Sequence, residues 1–295
     1  MKKLPPLVGL LSTLIMSQAF AADSSINFSS NNWTLINTLK KQQIEQDTSS
    51  LTSQASKDKS FNLNIDLLEQ FLTDEKTVTI DLPLPNGQFA AFKLTASSVM
   101  NSELAAKYPS IRTFSGYQLD KPEHQGNFDI TPHGFHGVFT FENDKVFIDP
   151  IRRDNNTTYH SYFRKDAKPL SKGALGKRLS PLRNTLSNNL DLESIGKAFK
   201  QQKKTNEIIT YRIAVATTGE YSEFHGGTKE LSLAAVVTML NRVNEVYQRD
   251  LAIKLELIAN NDSLIFIDAA SDPFKNTDED IDVNTDVINK GVGVN

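Results

Sequence analysis

The chain has 295 residues, 39% of them hydrophobic, and a formal net charge of -3, which suits two globular regions and argues against a fibre or a nucleic-acid binder. It contains no cysteine, so disulfides, a thiol nucleophile and cysteine-ligated metal are all excluded. The mild net charge hides an asymmetry: residues 164–204 carry eleven Lys or Arg against three Asp or Glu, and residues 205–295 carry seven against fifteen. Such blocks can pair, as a detachable basic segment on an acidic body, or each can be plain solvated surface.

In chain order, Lys2 and Lys3 precede a short apolar run over residues 4–15, and Ala19, Phe20 and Ala21 give the small-x-small pattern of a signal-peptidase site. The run is shorter than the roughly 20 residues a bilayer needs, and Pro5 and Pro6 interrupt it. The expectation is a signal peptide over residues 1–21, cleavage between Ala21 and Ala22, and export to the periplasm or the medium. Residues 22–60 are rich in Ser, Asn and Gln around Trp33 and read as a weakly ordered polar arm.

From residue 61 to 167 the texture turns to short β-like runs. Val78, Ile80 and Leu82 alternate with Thr77, Thr79 and Asp81; Pro85, Asn86 and Gly87 make a turn, and residues 89–94 resume as the second arm of a hairpin. Residues 102–107 predict a short helix capped by Ser102. Strands are predicted at residues 111–117, 127–130, 137–141 and 145–148, with Asn143 and Asp144 turning the last pair. This is a small, mostly antiparallel β domain. Residues 168–204 have basic linker composition, relieved only by Leu192, Ile195 and Phe199 on a short helix. Lys177-Arg178 and Lys203-Lys204 are basic pairs where a protease could separate the two regions.

Residues 208–258 read as strand, helix, strand. Tyr211, Ile213 and Val215 alternate with Arg212 and Ala214. Over residues 231–247, Leu233, Val236, Val237, Leu240, Val243 and Tyr247 fall at helical spacing, with Thr228 as N-cap and Glu230 in the first turn. Ile253, Leu255 and Leu257 then alternate with Lys254 and Glu256. The unit predicts a right-handed parallel crossover. Three elements bury too little surface to stand alone, so an exposed apolar sheet face, with aggregation or local disorder, is expected.

The run from Tyr211 to Tyr221, the helix carrying Asn241-Arg242-Val243-Asn244, and Asp250-Leu251-Ala252-Ile253 resemble the opening of bacterial reprolysin-like zinc metalloproteases, which are metzincins. Upstream, Leu82-Pro83-Leu84-Pro85-Asn86-Gly87, Lys107-Tyr108-Pro109, Gly134-Phe135-His136 and Ile148-Asp149-Pro150 resemble the propeptide of that family. The resemblance implies an α+β to α/β architecture: a β-rich propeptide domain (61–167), a basic linker (168–204) and an incomplete βαβ catalytic subdomain (205–295). Metzincins hold zinc through H-E-x-x-H-x-x-G-x-x-H. That motif is absent here, and none of His124, His133, His136, His160 and His225 is followed by Glu. The resemblance therefore implies a truncated chain that is inactive alone, with zinc ligands supplied only in full-length relatives, a protein or peptide substrate for the full enzyme, and a propeptide that contacts its own catalytic domain.

Without cysteine, latency falls to Asp129, His133 or His136 as zinc-blocking candidates, or to steric filling of the cleft, which is the default. His133 and His136 flank Gly134 and could share a metal if the backbone turns there, or they are ordinary turn residues. Glu220, Glu223 and His225 follow the first strand, where α/β sheets place ligands; without a phosphate-binding glycine pattern they read as a solvated loop. Asp278, Asp280 and Asp282 have the alternate spacing of a calcium loop but lack its Gly and terminal Glu, leaving an acidic loop that could take Ca2+ adventitiously. The alternative function is a non-enzymatic secreted protein whose β domain binds or inhibits a partner protease.

Overall fold

Period-two alternation builds most of the molecule. The computed structural model describes residues 27–45, 51–74, 77–168, 207–275, 277 and 279–293. Ala21, Ala22, Lys177, Arg178, Lys203, Lys204 and the Leu192 stretch lie outside the described residues. In chain order the elements begin with β1 (Asn27–Phe28), β2 (Trp33–Leu35), helix α1 (Thr38–Ile44), β3 (Gln54–Ala55), β4 (Asp58–Leu63) and helix α2 (Ile65–Asp74). The hairpin follows as β5 (Thr77–Pro83) and β6 (Phe89–Ser97), paired antiparallel from Thr77↔Thr95 to Pro83↔Phe89. Gly87 takes φ 90° in its turn, a conformation glycine adopts without Cβ strain.

Helix α3 (Ser102–Lys107) is where the sequence places it, but its cap is Asn101, whose side chain accepts from the Glu103 amide. The run continues with β7 (Arg112–Gln118), β8 (Lys121–Thr131), β9 (Gly134–Phe141), β10 (Asp144–Arg152), β11 (Asn155–Phe163) and β12 (Ala167–Lys168). Glu142 and Asn143 turn β9 into β10, with Glu142 at φ 54°.

Ten strands make one sheet in the order β1-β5-β6-β7-β8-β9-β10-β11-β4-β2. All neighbours are antiparallel except β1 and β5. Only four residues separate Phe28 on one edge from Trp33 on the other, so the sheet must curl until its edges approach. Trp33 Nε1 donates to the Asp81 carbonyl on β5 (2.9 Å), and Ser161 Oγ of β11 donates to the Pro83 carbonyl (2.8 Å). Inside the curl lie Phe61, Phe92, Phe128, Phe135, Phe139 and Tyr159, all fully buried, with Leu68 and Leu72 of α2 packed among them. The polar stretch expected as a loose arm is thus ordered over much of its length: Phe28 and Trp33 are buried and β4 is an internal strand.

The second part has β13 (Ile209–Ile213), α4 (Gly219–Phe224), α5 (Lys229–Leu251), β14 (Ile253–Leu257) and α6 (Asp280–Val292). β13 and β14 are parallel, in register from Ile209↔Ile253 to Ile213↔Leu257. Thr228 caps α5 by accepting from the Leu231 amide, and Ala252 ends it in the left-handed region at φ 55°. The expected exposed face exists on β13, where Ile209 and Tyr211 are 41% and 51% exposed. The apolar stripe of α5, however, is covered over its first three turns, while Tyr247 at its far end is exposed. Leu233, Val236, Val237 and Leu240 pack with Val99, Met100, Leu104 and Ile111 of the β-rich part. Residues 99–101 also extend the small sheet, the Leu257 amide donating to Val99 O (2.8 Å) and the Asn101 amide to Leu257 O (2.9 Å).

Candidate functional site

The chemistry-bearing side chains gather where α5 crosses the outer face of β8, β9 and β10. Beside its apolar stripe, α5 carries Thr238, Asn241, Arg242 and Glu245, whose three- and four-residue steps put them on one face. The sheet answers with Asn127, Asp129, Lys145 and Asp149, all buried. Thr238 Oγ1 donates to Asp129 Oδ1 (2.7 Å), Asn241 Nδ2 donates to the Phe128 carbonyl (2.9 Å), and Asn127 Nδ2 donates to the Asn241 carbonyl (2.9 Å). Arg242 pairs with Asp149, and Lys145 with Glu245. At the N-terminal end of the helix, His133 Nε2 donates to the Leu231 carbonyl (2.8 Å).

Electrostatics follow from burial. Burial alone would push the Asp149 carboxyl up, but Arg242, the neighbouring imidazoles and the Tyr162 hydroxyl, which donates to it at 2.7 Å, hold it below the ordinary aspartate value. Burial pushes the Tyr162 hydroxyl up, reinforced by Asp149. Burial pulls the Lys145 ammonium down against the opposing pull of Glu245.

A cavity of about 200 Å³ opens at the His133 end, bordered by Ser53, His133, His136, Arg153, His225 and Arg242 among others. The β8–β9 turn brings His133 and His136 to this one cavity. Gly134 makes that possible: it takes φ 108°, and a Cβ there would fall 2.7 Å from the Tyr159 hydroxyl oxygen. The three candidates Asp129, His133 and His136 therefore meet, joined by His225, yet each is already committed. His136 Nδ1 lies 3.0 Å from Asp129 Oδ1, and His133 is spent on Leu231.

The remaining imidazoles do not add up to a zinc set. His124 Nδ1 is 2.7 Å from Gln118 Oε1, His160 Nε2 is 2.6 Å from Ser53 Oγ, and His225 is packed against Tyr221 and Phe224. Among the described residues no group of three or more His, Cys, Asp or Glu could hold a metal ion. The described side chains do not fit zinc.

Glu220 and Glu223, expected in a loop, lie on α4 and are exposed, while His225 ends that helix inside the seam. Asp278 lies outside the described residues. Asp280 and Asp282 open α6, and Asp280 accepts from the Lys275 and Thr277 amides (2.9 and 3.0 Å), so these acids start a helix instead of lining a calcium loop. Sequence reading missed Asn127, Lys145, Thr238 and Glu245; for Thr238 and Glu245 the signal was present in the polar stripe of α5.

The folded unit is therefore a curled β domain gripping a strand-helix-strand segment through a polar seam. Residues 208–290 match the model of metallo-peptidase family M12B, reprolysin-like, so that segment is similar to the reprolysin-like metallopeptidases. No curated protein matches the chain.

Proposed function

We propose that the chain is the precursor portion of a secreted zinc-dependent metalloendopeptidase, with residues 27–168 acting as a propeptide that covers the reprolysin-like segment. Cleavage of the linker at Lys177-Arg178 or Lys203-Lys204 would free that segment. The observation that supports this reading is the seam. Over about four turns α5, inside the family match, is met at Leu231, Thr238, Asn241, Arg242 and Glu245 by polar groups of the β domain. Latency on this reading is steric, because Asp129 and one ring nitrogen each of His133 and His136 are engaged within the seam and the described side chains assemble no metal-holding group. The zinc motif is absent from the sequence, and we expect the chain to cleave no peptide bond by itself.

The test is hydrolysis of a quenched fluorescent casein by the purified chain, with and without added zinc and with a chelator. No cleavage above the blank is expected. Turnover that the chelator abolishes would overturn the reading.

A further inference from the structure

Along most of the seam each charge meets one of opposite sign, Arg242 on Asp149 and Lys145 on Glu245. At the end formed by α4 and the β8–β9 turn two imidazoles face each other instead. There the rings of His133 and His225 lie 5.8 Å apart, and the Arg153 guanidinium stacks 3.8 Å over the Phe224 ring. The groups facing the pair are Asp129, His136, Asp149 and Tyr162 from the sheet and Arg153 from the β10–β11 turn. From α5 they are Thr238 and Arg242, and from α4 they are Tyr221 and Phe224, with Glu220 and Glu223 on that helix's exposed side. Both buried carboxylates are committed before either imidazole takes a proton: Asp129 to Thr238 and His136, Asp149 to Tyr162 and Arg242.

We propose that this end of the seam is an acid-operated latch, in which neutral His133 and His225 let α4 and the first turns of α5 lie on the sheet and their protonation drives those elements off. The inference rests on the reading of the β domain as the cover of the reprolysin-like segment. A proton on each ring would place up to four cations, with Arg153 and Arg242, around carboxylates already in use. Burial first, then repulsion from His133 and Arg153, pulls His225 down to about 4. Burial likewise lowers His133, against its bond to Leu231.

The sign follows from the depressed values. Docking stabilisation is complete above the ordinary histidine value of 6.5 and is lost as pH falls from there towards about 4. Because the rings keep some solvent, the expected loosening between pH 7.5 and 5.0 is on the order of tenfold, below the full linkage value.

Hydrogen exchange on the full chain, with rates corrected for intrinsic pH dependence, tests this. The amides of Leu233 and Ala234 should exchange about tenfold faster at pH 5.0 than at 7.5, while those of Phe128 and Phe139 inside the curled sheet stay constant. His133→Gln, which keeps a donor for the Leu231 carbonyl, combined with His225→Phe should abolish the pH dependence. His225→Gln serves as second variant if the phenylalanine perturbs packing at pH 7.5. Equal protection at both pH values in the wild type, or an unchanged response in the double variants, would overturn the latch alone. Helix amides already unprotected at pH 7.5, beside a protected sheet, would instead overturn the covering role on which it rests.

Discussion

Arg242 ties α5 to the sheet through a charge. It reaches Asp149, a carboxylate buried beneath the helix and backed by Tyr162. Arg242→Met keeps the aliphatic stem and strands that negative charge, which should lower stability by about 2 kcal/mol, read as a lower urea midpoint at unchanged slope. The partly exposed guanidinium, at 31%, keeps the cost from being larger. Asp149 also sets an acid limit. Its value is depressed, so its contribution is present above the ordinary 3.8 and is lost as pH falls below that. Asp149→Asn should therefore flatten the fall in stability below pH 3.8, measured by urea titration at several acid pH values. At this scale the sequence was half legible. Asp129, His133, His136 and His225 stood out by residue type and do share a site, but their chemistry was not. An imidazole's role depends on which carbonyl or carboxylate lies across the seam, and Leu231 is about a hundred residues from His133.

Elements were more legible wherever the signal was local. The β5–β6 hairpin and the β13-α5-β14 unit announced themselves through alternation, helical spacing and Thr228 in the capping position. The ends of α5 can be tested. Ala252 holds a left-handed φ of 55° that glycine would adopt without strain. Ala252→Gly should raise stability by about 0.5–1 kcal/mol, seen as a higher thermal midpoint. Removing the cap with Thr228→Ala should cost about 1 kcal/mol and free the Leu231 amide to exchange. Strands β1, β2, β4 and β11 escaped because they are shorter than a period can show or open on consecutive polar residues. Asp58, Lys59 and Ser60 look like a loop until Ser161, His160 and Tyr162 are set beside them. Pairing partners a hundred residues away leave no trace in a local window.

At the scale of the whole molecule, the two parts are held by surfaces of different character. The β domain has its own aromatic core, whereas the reprolysin-like segment borrows Val99, Met100, Leu104 and Ile111 to complete its cluster. Trp33 decides whether the β domain closes at all. Its ring meets Phe61, Phe135 and Tyr159 edge-on at 6.3, 6.4 and 5.9 Å, and its indole N–H ties edge strand β2 to β5 near the opposite edge. Trp33→Ala should cost about 3–5 kcal/mol and expose the sheet edges to limited proteolysis.

The closure also sets an order of events during synthesis. β4 leaves the ribosome about a hundred residues before β11, the neighbour that makes it an internal strand, and the long-range loop must be closed before its ladder forms. Phe61 and Leu63 thus wait without their burial while most of the β domain is being made. Until residue 163 has been made, the growing chain therefore carries apolar side chains that only its last long strand can shield.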